Sequence, residues 1–261
     1  MPKERNWIKA ALGRGEAVVG LMVSELKTPH LGQMVEAAGL DFAIVDQEHG
    51  CYGADALAAV LAGFGGCACR PIVRVPENRR EYVLTALELG AQGVMVPHVE
   101  SGAEAAELVR YGRYAPEGDR GLSLCRAHTG FRRVDRRAYL PQANAEVLLM
   151  AQVENRAALD NLDGILATPG LDLAFIGPSD LSASLDIDGS LRSPEMRRVV
   201  DTVIAAAKRH GVAVGIQTYD LEVAAQLIAQ GVGLVSIDTD ANALIGALSR
   251  GLAELRKWSG A

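Results

Sequence analysis

Two kinds of apolar pattern alternate along the chain. Short runs rich in β-branched residues predict buried strands, and the Ala- and Leu-rich stretches between them place apolar residues at helical spacing. The predicted strands span residues 17–23, 41–47, 71–75, 93–97, 146–154, 172–177, 212–217 and 234–238. Helices are predicted at 30–38, 54–63, 79–89, 101–111, 155–166, 194–210, 220–230 and 240–256, with a short helix near 4–13 before the first strand.

This alternation predicts an α/β fold, a (β/α)₈ TIM barrel with an extra N-terminal helix. Eight strand–helix pairs within 261 residues match the usual size of a closed barrel. A chain of this length fills one large hydrophobic core, so we expect residues 1–261 to form a single barrel domain. The rival architecture, an open doubly wound sheet, usually carries a Gly-rich phosphate turn after its first strand, whereas that position reads LMVSELKTPH here.

The connections between elements give two further predictions. The segments AAGLDFAIVD, ELGAQGVMVP and AQGVGLVSID each place a glycine between a helix and a strand, which predicts a left-handed glycine that ends the helix. Residues 112–145 form one long segment without clear periodicity. Long loops of this kind are often functional, so we expect the segment to arch over the end of the barrel where active sites lie.

Composition and charge exclude several classes of function. The chain is 49% apolar and 22% charged, and its net charge of −6 comes with no basic run, so we expect no nucleic-acid partner. No stretch approaches the roughly 20 apolar residues of a membrane helix, and the first residues lack an apolar signal segment, which predicts a cytoplasmic protein without a membrane partner. The four cysteines form no CxxC pair and are expected to be reduced thiols.

Candidate chemistry lies where the predicted strands end. Four strands end in or carry polar residues, namely Asp46-Gln47-Glu48-His49, Arg74, Gln152 with Glu154, and Gly177-Pro178-Ser179-Asp180. The carboxyl ends of barrel strands meet at the active-site face, so these side chains should converge. Taken singly, Asp180 could cap a following turn and Glu154 could be a first-turn acid that the helix dipole favours. Arg74 is harder to explain in that way, because a doubly buried strand would leave its guanidinium without a partner.

Two carboxylates on neighbouring strands suit a hard divalent ion. Glu154 and Asp180 are therefore candidate ligands for Mg²⁺ or Mn²⁺, with Co²⁺ as a further possibility. Zinc fits less well, because the other histidines show no HxxxH or HxH spacing. Of these, His98 directly follows the fourth strand and His128 lies in the long segment, so either could line the pocket.

Six motifs in this sequence resemble those of one enzyme family. They are VDQEHG (45–50), PIVRV (71–75), MVPHVESGAEA (95–105), RYAPEGDRG (113–121), AQVEN (151–155) and FIGPSDLS (175–182). Together they resemble the HpcH/HpaI aldolase family, the class II, metal-dependent pyruvate aldolases. The similarity runs from about residue 17 to residue 240, with the motifs in the family's order and at its spacing.

The resemblance implies roles for individual residues. Glu154 and Asp180 match the metal ligands, and Arg74 matches the arginine that binds the ketone oxygen and stabilises the enolate. His49 matches the histidine of proton transfer, with Asp46 in the same motif. Gln152 is implied to lie near the metal, and the backbone at Gly177, Pro178 and Ser179 to bind the substrate carboxylate.

The resemblance also implies an assembly. Family members are often hexamers whose last helix packs against a neighbouring subunit, so a homo-oligomer is expected. An acid of the third helix is thought to pair with the histidine across a subunit interface, which matches Glu88, a Glu where Asp is expected. His98 departs from the more usual apolar residue after VP and could alter the aldehyde pocket.

The predicted function is therefore an aldehyde-lyase. A 2-oxo acid such as pyruvate or hydroxypyruvate would form an enolate with a divalent metal as Lewis acid, and the enolate would add reversibly to an aldehyde. In reverse, a 4-hydroxy-2-oxo acid would be cleaved. Three alternatives remain: a Schiff-base aldolase, for which Lys27 is the only plausible lysine, a metal-dependent acyl-CoA lyase of related architecture, and a non-catalytic ligand-binding barrel.

Overall fold

A computed structural model describes residues 6–259 as a closed barrel of eight parallel strands. The strands follow one another around the barrel in chain order, and β1 pairs with β8 to close it. Their bounds are β1 Val18–Val23, β2 Phe42–Asp46, β3 Arg70–Arg74, β4 Gly93–Val96, β5 Leu148–Val153, β6 Leu173–Ile176, β7 Ala213–Gln217 and β8 Leu234–Thr239. The predicted TIM barrel is confirmed.

Helices connect the strands on the outside. They are α1 Trp7–Gly13, α2 Leu31–Ala37, α3 Ala54–Ala62, α4 Arg80–Glu88, α5 Gly102–Gly112, α6 Arg136–Glu146, α7 Arg156–Asp160, α8 Leu162–Leu166, α9 Pro178–Leu185, α10 Pro194–His210, α11 Leu221–Ala229 and α12 Asp240–Ser259. Helix α1 is the predicted N-terminal helix, whose first predicted residues lie outside the described part of the chain. Among residues 6–259, no helix is long and apolar enough to cross a membrane.

The strand side chains divide into two apolar layers. On β2, Phe42 and Ile44 pack inside the barrel, while Ala43 and Val45 pack outward against the helices. This period of two follows from the pleat of a strand. On several strands the side chains that point into the barrel are apolar at first and polar at the carboxyl end. On β2, for example, Phe42 and Ile44 point inward and Asp46 is the next residue on the same side. The alternation therefore aims the polar strand ends at the barrel mouth.

The predicted glycine turns are confirmed. Gly39, Gly90 and Gly231 follow α2, α4 and α11 with φ angles of 76°, 108° and 102°. Side chains other than glycine rarely adopt this left-handed region, which explains why glycine stands at the same place in all three segments.

The expectation for residues 112–145 is wrong. A short 3₁₀ helix at Ala127–Thr129 and the helix α6 interrupt the segment. Among the described residues, no part of 112–145 lines the cleft at the carboxyl ends of the strands. The 3₁₀ helix packs on α4, and α6 ends where Asn6 donates a 2.9 Å hydrogen bond to the carbonyl of Glu146. The segment therefore covers the outside of the barrel and returns the chain to the amino end of β5.

Two smaller differences concern helices. The helix predicted at 155–166 is divided into α7 and α8 at Asn161, whose side chain donates a 3.0 Å hydrogen bond to the carbonyl of Glu100. Helix α9 was not predicted, and it begins at Pro178 with Asp180 in its first turn. A proline at the first position and an acid close behind it both favour a helix start.

Candidate active site

The polar strand ends form a cleft of about 630 Å³ at the carboxyl end of the barrel. Its lining includes eight of the residues predicted from sequence: Asp46, His49, Arg74, Gln152, Gly177, Pro178, Ser179 and Asp180. Glu154 is 1% exposed and lies below the surface, beside Gly177. Of the residues predicted for the site, Glu88 alone lies away from this cleft.

Arg74 and Asp46 form a buried ion pair within the cleft. The two residues are register partners on β3 and β2, which brings their side chains together. Arg74 donates from Nε and Nη2 to the two carboxylate oxygens of Asp46 at 2.8 and 2.7 Å. Burial alone would lower the pKa of Arg74, but the hydrogen bonds and charges of Asp46 and Glu48 outweigh burial and raise it. Asp46 thus supplies the partner that a guanidinium in this buried strand requires, and it fixes the position of the guanidinium.

Glu154 is a buried carboxylate whose two oxygens are both held. Oε1 accepts a 2.7 Å hydrogen bond from the backbone N–H of His98, and Oε2 accepts one from the side-chain amide of Gln152. Burial raises the pKa of Glu154, and the charges of Glu48 and Asp180 raise it further against the opposing effect of His98. Within residues 6–259, its ion-pair partner is His98 and not a lysine or an arginine. Arg74 acts on this carboxylate only through its charge, from beyond ion-pair distance, so no lysine or arginine among the described residues contacts the acid.

Gly177 allows β6 to approach Glu154 closely. A Cβ atom at position 177 would stand 2.8 Å from Glu154 Oε2 and 2.9 Å from Gln152 Nε2. The chain turns there into α9, whose first turn carries the exposed Asp180 on the wall of the cleft. The first backbone N–H groups of α9 face no helical acceptor, so this end of the helix suits an anionic group.

His49 and Glu88 are not brought together within one chain. The His49 side chain is 66% exposed, and its Nε2 lies 4.0 Å from Glu48 Oε2. Asp46, the acid of the same motif, accepts hydrogen bonds from Arg74 with both carboxylate oxygens. Glu88 ends α4, directly before the amino end of β4, and its carboxylate lies 4.0 Å from Arg126 Nε. Glu88 could act in such a site only across a subunit interface.

Glu48 and His98 both lie in the site: the sequence predicted no role for Glu48, and for His98 it predicted only that the side chain could line the pocket. Glu48 contacts Arg74 Nη1 through Oε2 at 3.0 Å and His98 Nε2 through Oε1 at 3.3 Å. A signal for Glu48 was present, because it stands in the same acidic motif, two residues after Asp46. His98 has a φ angle of 52°, which no sequence pattern indicated.

The residues of this site fit a divalent cation. One ligand atom from each of Glu48, His98 and Glu154 lies within 4.8 Å of the others. Asp180 adds a further negative charge from the cleft wall. The side-chain oxygen Oε1 of Gln152 is buried and accepts no hydrogen bond among the described residues. A hard cation requires oxygen ligands and negative charge that lie close together.

The whole chain matches known enzymes. The profile of the family described as HpcH/HpaI aldolase/citrate lyase matches residues 21–247. A 2-keto-3-deoxy-L-rhamnonate aldolase of Klebsiella pneumoniae is 34% identical over 255 residues, which are 97% of this chain and 94% of that protein. A hydroxypyruvate/pyruvate aldolase of Roseobacter denitrificans is 34% identical and matches over 99% of both chains.

Solved structures agree with these matches. The crystal structure of an HpcH/HpaI aldolase from Desulfitobacterium hafniense is 31% identical, with a TM-score of 0.90 over 95% of this chain and 96% of that chain. A family protein from Burkholderia cenocepacia is 34% identical, with a TM-score of 0.88 over 96% of this chain and 99% of the other. The chain is therefore an enzyme of the HpcH/HpaI aldolase/citrate lyase family, as its motifs predict.

Proposed function

We propose that this aldolase uses a divalent cation, which is Mg²⁺, Mn²⁺ or Co²⁺, to act on pyruvate or hydroxypyruvate. Glu154 and Asp180 would hold the cation. The observation that carries the proposal is the buried carboxylate of Glu154. Its pKa is raised, two acids are its neighbours, and no lysine or arginine within residues 6–259 forms an ion pair with it. When bound, the cation would supply Lewis-acid chemistry toward the oxygens of a 2-oxo acid. The family's metal dependence supports this proposal.

Arg74 would stabilise the enolate. Two hydrogen bonds to Asp46 fix the guanidinium before any substrate arrives. A positive charge held in advance beside the keto oxygen interacts most strongly when that oxygen becomes negative, which lowers the barrier instead of merely tightening binding. Asp46 would then be a positioning residue for Arg74.

The start of α9 would bind the substrate carboxylate. Gly177, Pro178 and Ser179 line the cleft where the helix begins. Pro178 has no N–H, so the donors would be those of the residues that follow it. The free N–H groups and the positive end of the helix dipole both favour an anion at this point.

His49 would transfer the proton, with Glu88 of a neighbouring subunit as its partner. This role requires a homo-oligomer, which we propose to be a hexamer. The last helix supports assembly, because α12 exposes a row of apolar residues: Leu244, Ile245, Leu248, Leu252, Leu255 and Trp258. An exposed apolar patch of this kind marks an interaction surface. The cytoplasmic location stays a prediction.

The substrate test begins with compounds named by the relatives. Purified protein should release pyruvate from 2-keto-3-deoxy-L-rhamnonate or another 4-hydroxy-2-oxo acid, or join hydroxypyruvate to an aldehyde. EDTA should abolish turnover and Mg²⁺ or Mn²⁺ should restore it. Glu154→Gln should lose metal binding, whereas Glu195→Gln, which changes an exposed acid in the first turn of α10, should behave as the wild type.

Other outcomes would favour the alternatives. Inactivation by borohydride in the presence of substrate would point to a Schiff base at Lys27, although that lysine is exposed and lies outside the cleft lining. Cleavage of an acyl-CoA thioester without aldolase turnover would favour the lyase. Bound metal with no turnover of any 2-oxo acid or aldehyde would favour a ligand-binding barrel.

A further inference from the structure

His98 lies between two acids of the site in an unusual backbone conformation. It follows β4 with a φ angle of 52°, in the left-handed region that few non-glycine residues adopt. Its backbone N–H donates to Glu154 Oε1 at 2.7 Å. Its side chain is 58% exposed, yet the ring turns inward to Glu154 and Glu48 instead of outward. Strained residues that persist in this way cluster at functional sites.

The ring is oriented as a metal ligand would be. Its Nδ1 lies 3.1 Å from Glu154 Oε1, and its Nε2 lies 3.3 Å from Glu48 Oε1. Two neighbouring ligand atoms that each lie about 2.1 Å from one octahedral ion are about 3.0 Å apart. The distance between His98 Nδ1 and Glu154 Oε1 is close to this value. The second contact places a carboxylate behind the other ring nitrogen, the arrangement that usually fixes the tautomer and direction of a metal-binding histidine.

We propose that His98 is a third protein ligand of the divalent cation, through Nδ1, with Glu48 orienting its ring from behind. This inference rests on the proposed cation at Glu154 and Asp180. It also has a consequence for the choice of metal. An imidazole nitrogen binds Co²⁺ and Ni²⁺ more tightly than Mn²⁺, whereas Mg²⁺ prefers oxygen. His98 should therefore shift the preference of this site from Mg²⁺ toward transition metals.

Nitrogen coordination can be measured directly in the metal-loaded protein. Electron spin-echo modulation of the Mn²⁺ form should show the nitrogen coupling of one directly bound imidazole. The coupling should disappear in His98→Asn, in which asparagine tolerates the left-handed backbone and so keeps the loop folded. The coupling should persist in His210→Gln, because the native His210 ring lies away from the cleft, 2.8 Å from Asp163.

Metal preference gives a second readout. In His98→Asn the dissociation constant for Co²⁺ should rise by at least about tenfold, while that for Mg²⁺ should change little. Equal weakening of both metals would overturn the proposed preference. Mn²⁺ that binds in a Glu154-dependent way without nitrogen coupling would remove His98 from the ligand set and leave the proposed function intact. A wild-type protein that binds no metal would overturn both.

Discussion

Gly177→Ala should weaken metal binding without changing the fold. The new Cβ would lie 2.8 Å from Glu154 Oε2, whereas ordinary contact begins at 3.4 Å, so one of the two atoms must move by about 0.6 Å. The backbone itself permits alanine, because φ is −97° and ψ is 88°. The Cβ of Glu154 is also within 2.9 Å, so the whole acid is confined, and its carboxylate should turn away from Gln152.

The size of both effects follows from this displacement. Overpacking of one methyl group costs about 1–3 kcal/mol, which should lower the melting temperature by a few degrees. Loss of the hydrogen bond that orients a ligand lowers metal affinity by about 10- to 100-fold. Calorimetric titration with Mn²⁺ would measure the affinity, and thermal unfolding would measure the stability of the same samples.

A matched glycine separates the local effect from a general one. A Cβ at Gly164, in α8, would meet no atom within 4 Å, so Gly164→Ala should bind Mn²⁺ as the wild type does. If folded Gly177→Ala bound Mn²⁺ with wild-type affinity, the carboxylate of Glu154 could not be a ligand whose placement matters. The reasoning from close packing to metal affinity would then be refuted.

Three further outcomes are expected from the same geometry. Arg74→Lys should bind metal normally but lose about 10²–10³ in kcat, because one ammonium cannot replace the paired guanidinium, and a near-normal kcat would remove Arg74 from enolate stabilisation. Leu248→Asp should shift the assembly toward smaller species in light scattering, whereas Ser249→Asp should not, and an unchanged mass would exclude the apolar face of α12 from the interface. A thiol reagent should label two of the four cysteines in the native protein, because two are exposed and burial raises the pKa of the Cys69 thiol to about 12, and labelling of all four would contradict the packing.

The barrel could be predicted because its signals are local and repeated. Each strand is a short apolar run, and glycine ends the helix before three of them. Helix α6 was missed because it has no apolar stripe: its one buried residue is Asn144, which exchanges hydrogen bonds of 2.7 and 2.8 Å with the backbone of Tyr114. A helix whose one buried side chain is polar leaves no apolar periodicity in the sequence.

The site was only partly predictable for a related reason. Strand alternation aims Asp46, Arg74 and Gln152 into the barrel mouth, so those positions followed from the sequence. The pairing of Asp46 with Arg74 depends on the register between β2 and β3, which the sequence does not display. The direction of the His98 ring depends on a backbone angle beyond the end of β4, and a single sequence does not predict such an angle.

The pairing of Asp46 with Arg74 has a consequence for His49. Both oxygens of Asp46 are bound to the guanidinium, so this acid is not free to orient the imidazole. Among residues 6–259, the nearest carboxylate oxygen to the His49 ring is that of Glu48, which is 4.0 Å away and too far for a hydrogen bond. A histidine that transfers protons normally needs a third group to orient it. Among the described residues of one chain, no such group contacts His49. This favours an acid that a neighbouring subunit supplies.

A mixing experiment can test whether Glu88 is that acid. His49→Gln and Glu88→Gln should each be nearly inactive, while Glu81→Gln, at the other end of α4, should be active. If the two residues meet across an interface, a mixed oligomer of the two inactive variants contains some sites with both native residues. With random assembly from equal amounts, about half the sites have the native histidine and half of those a native neighbour, so about one quarter of the activity should return. Activity that stays absent after subunit exchange, or a fully active Glu88→Gln, would show that His49 obtains its partner elsewhere.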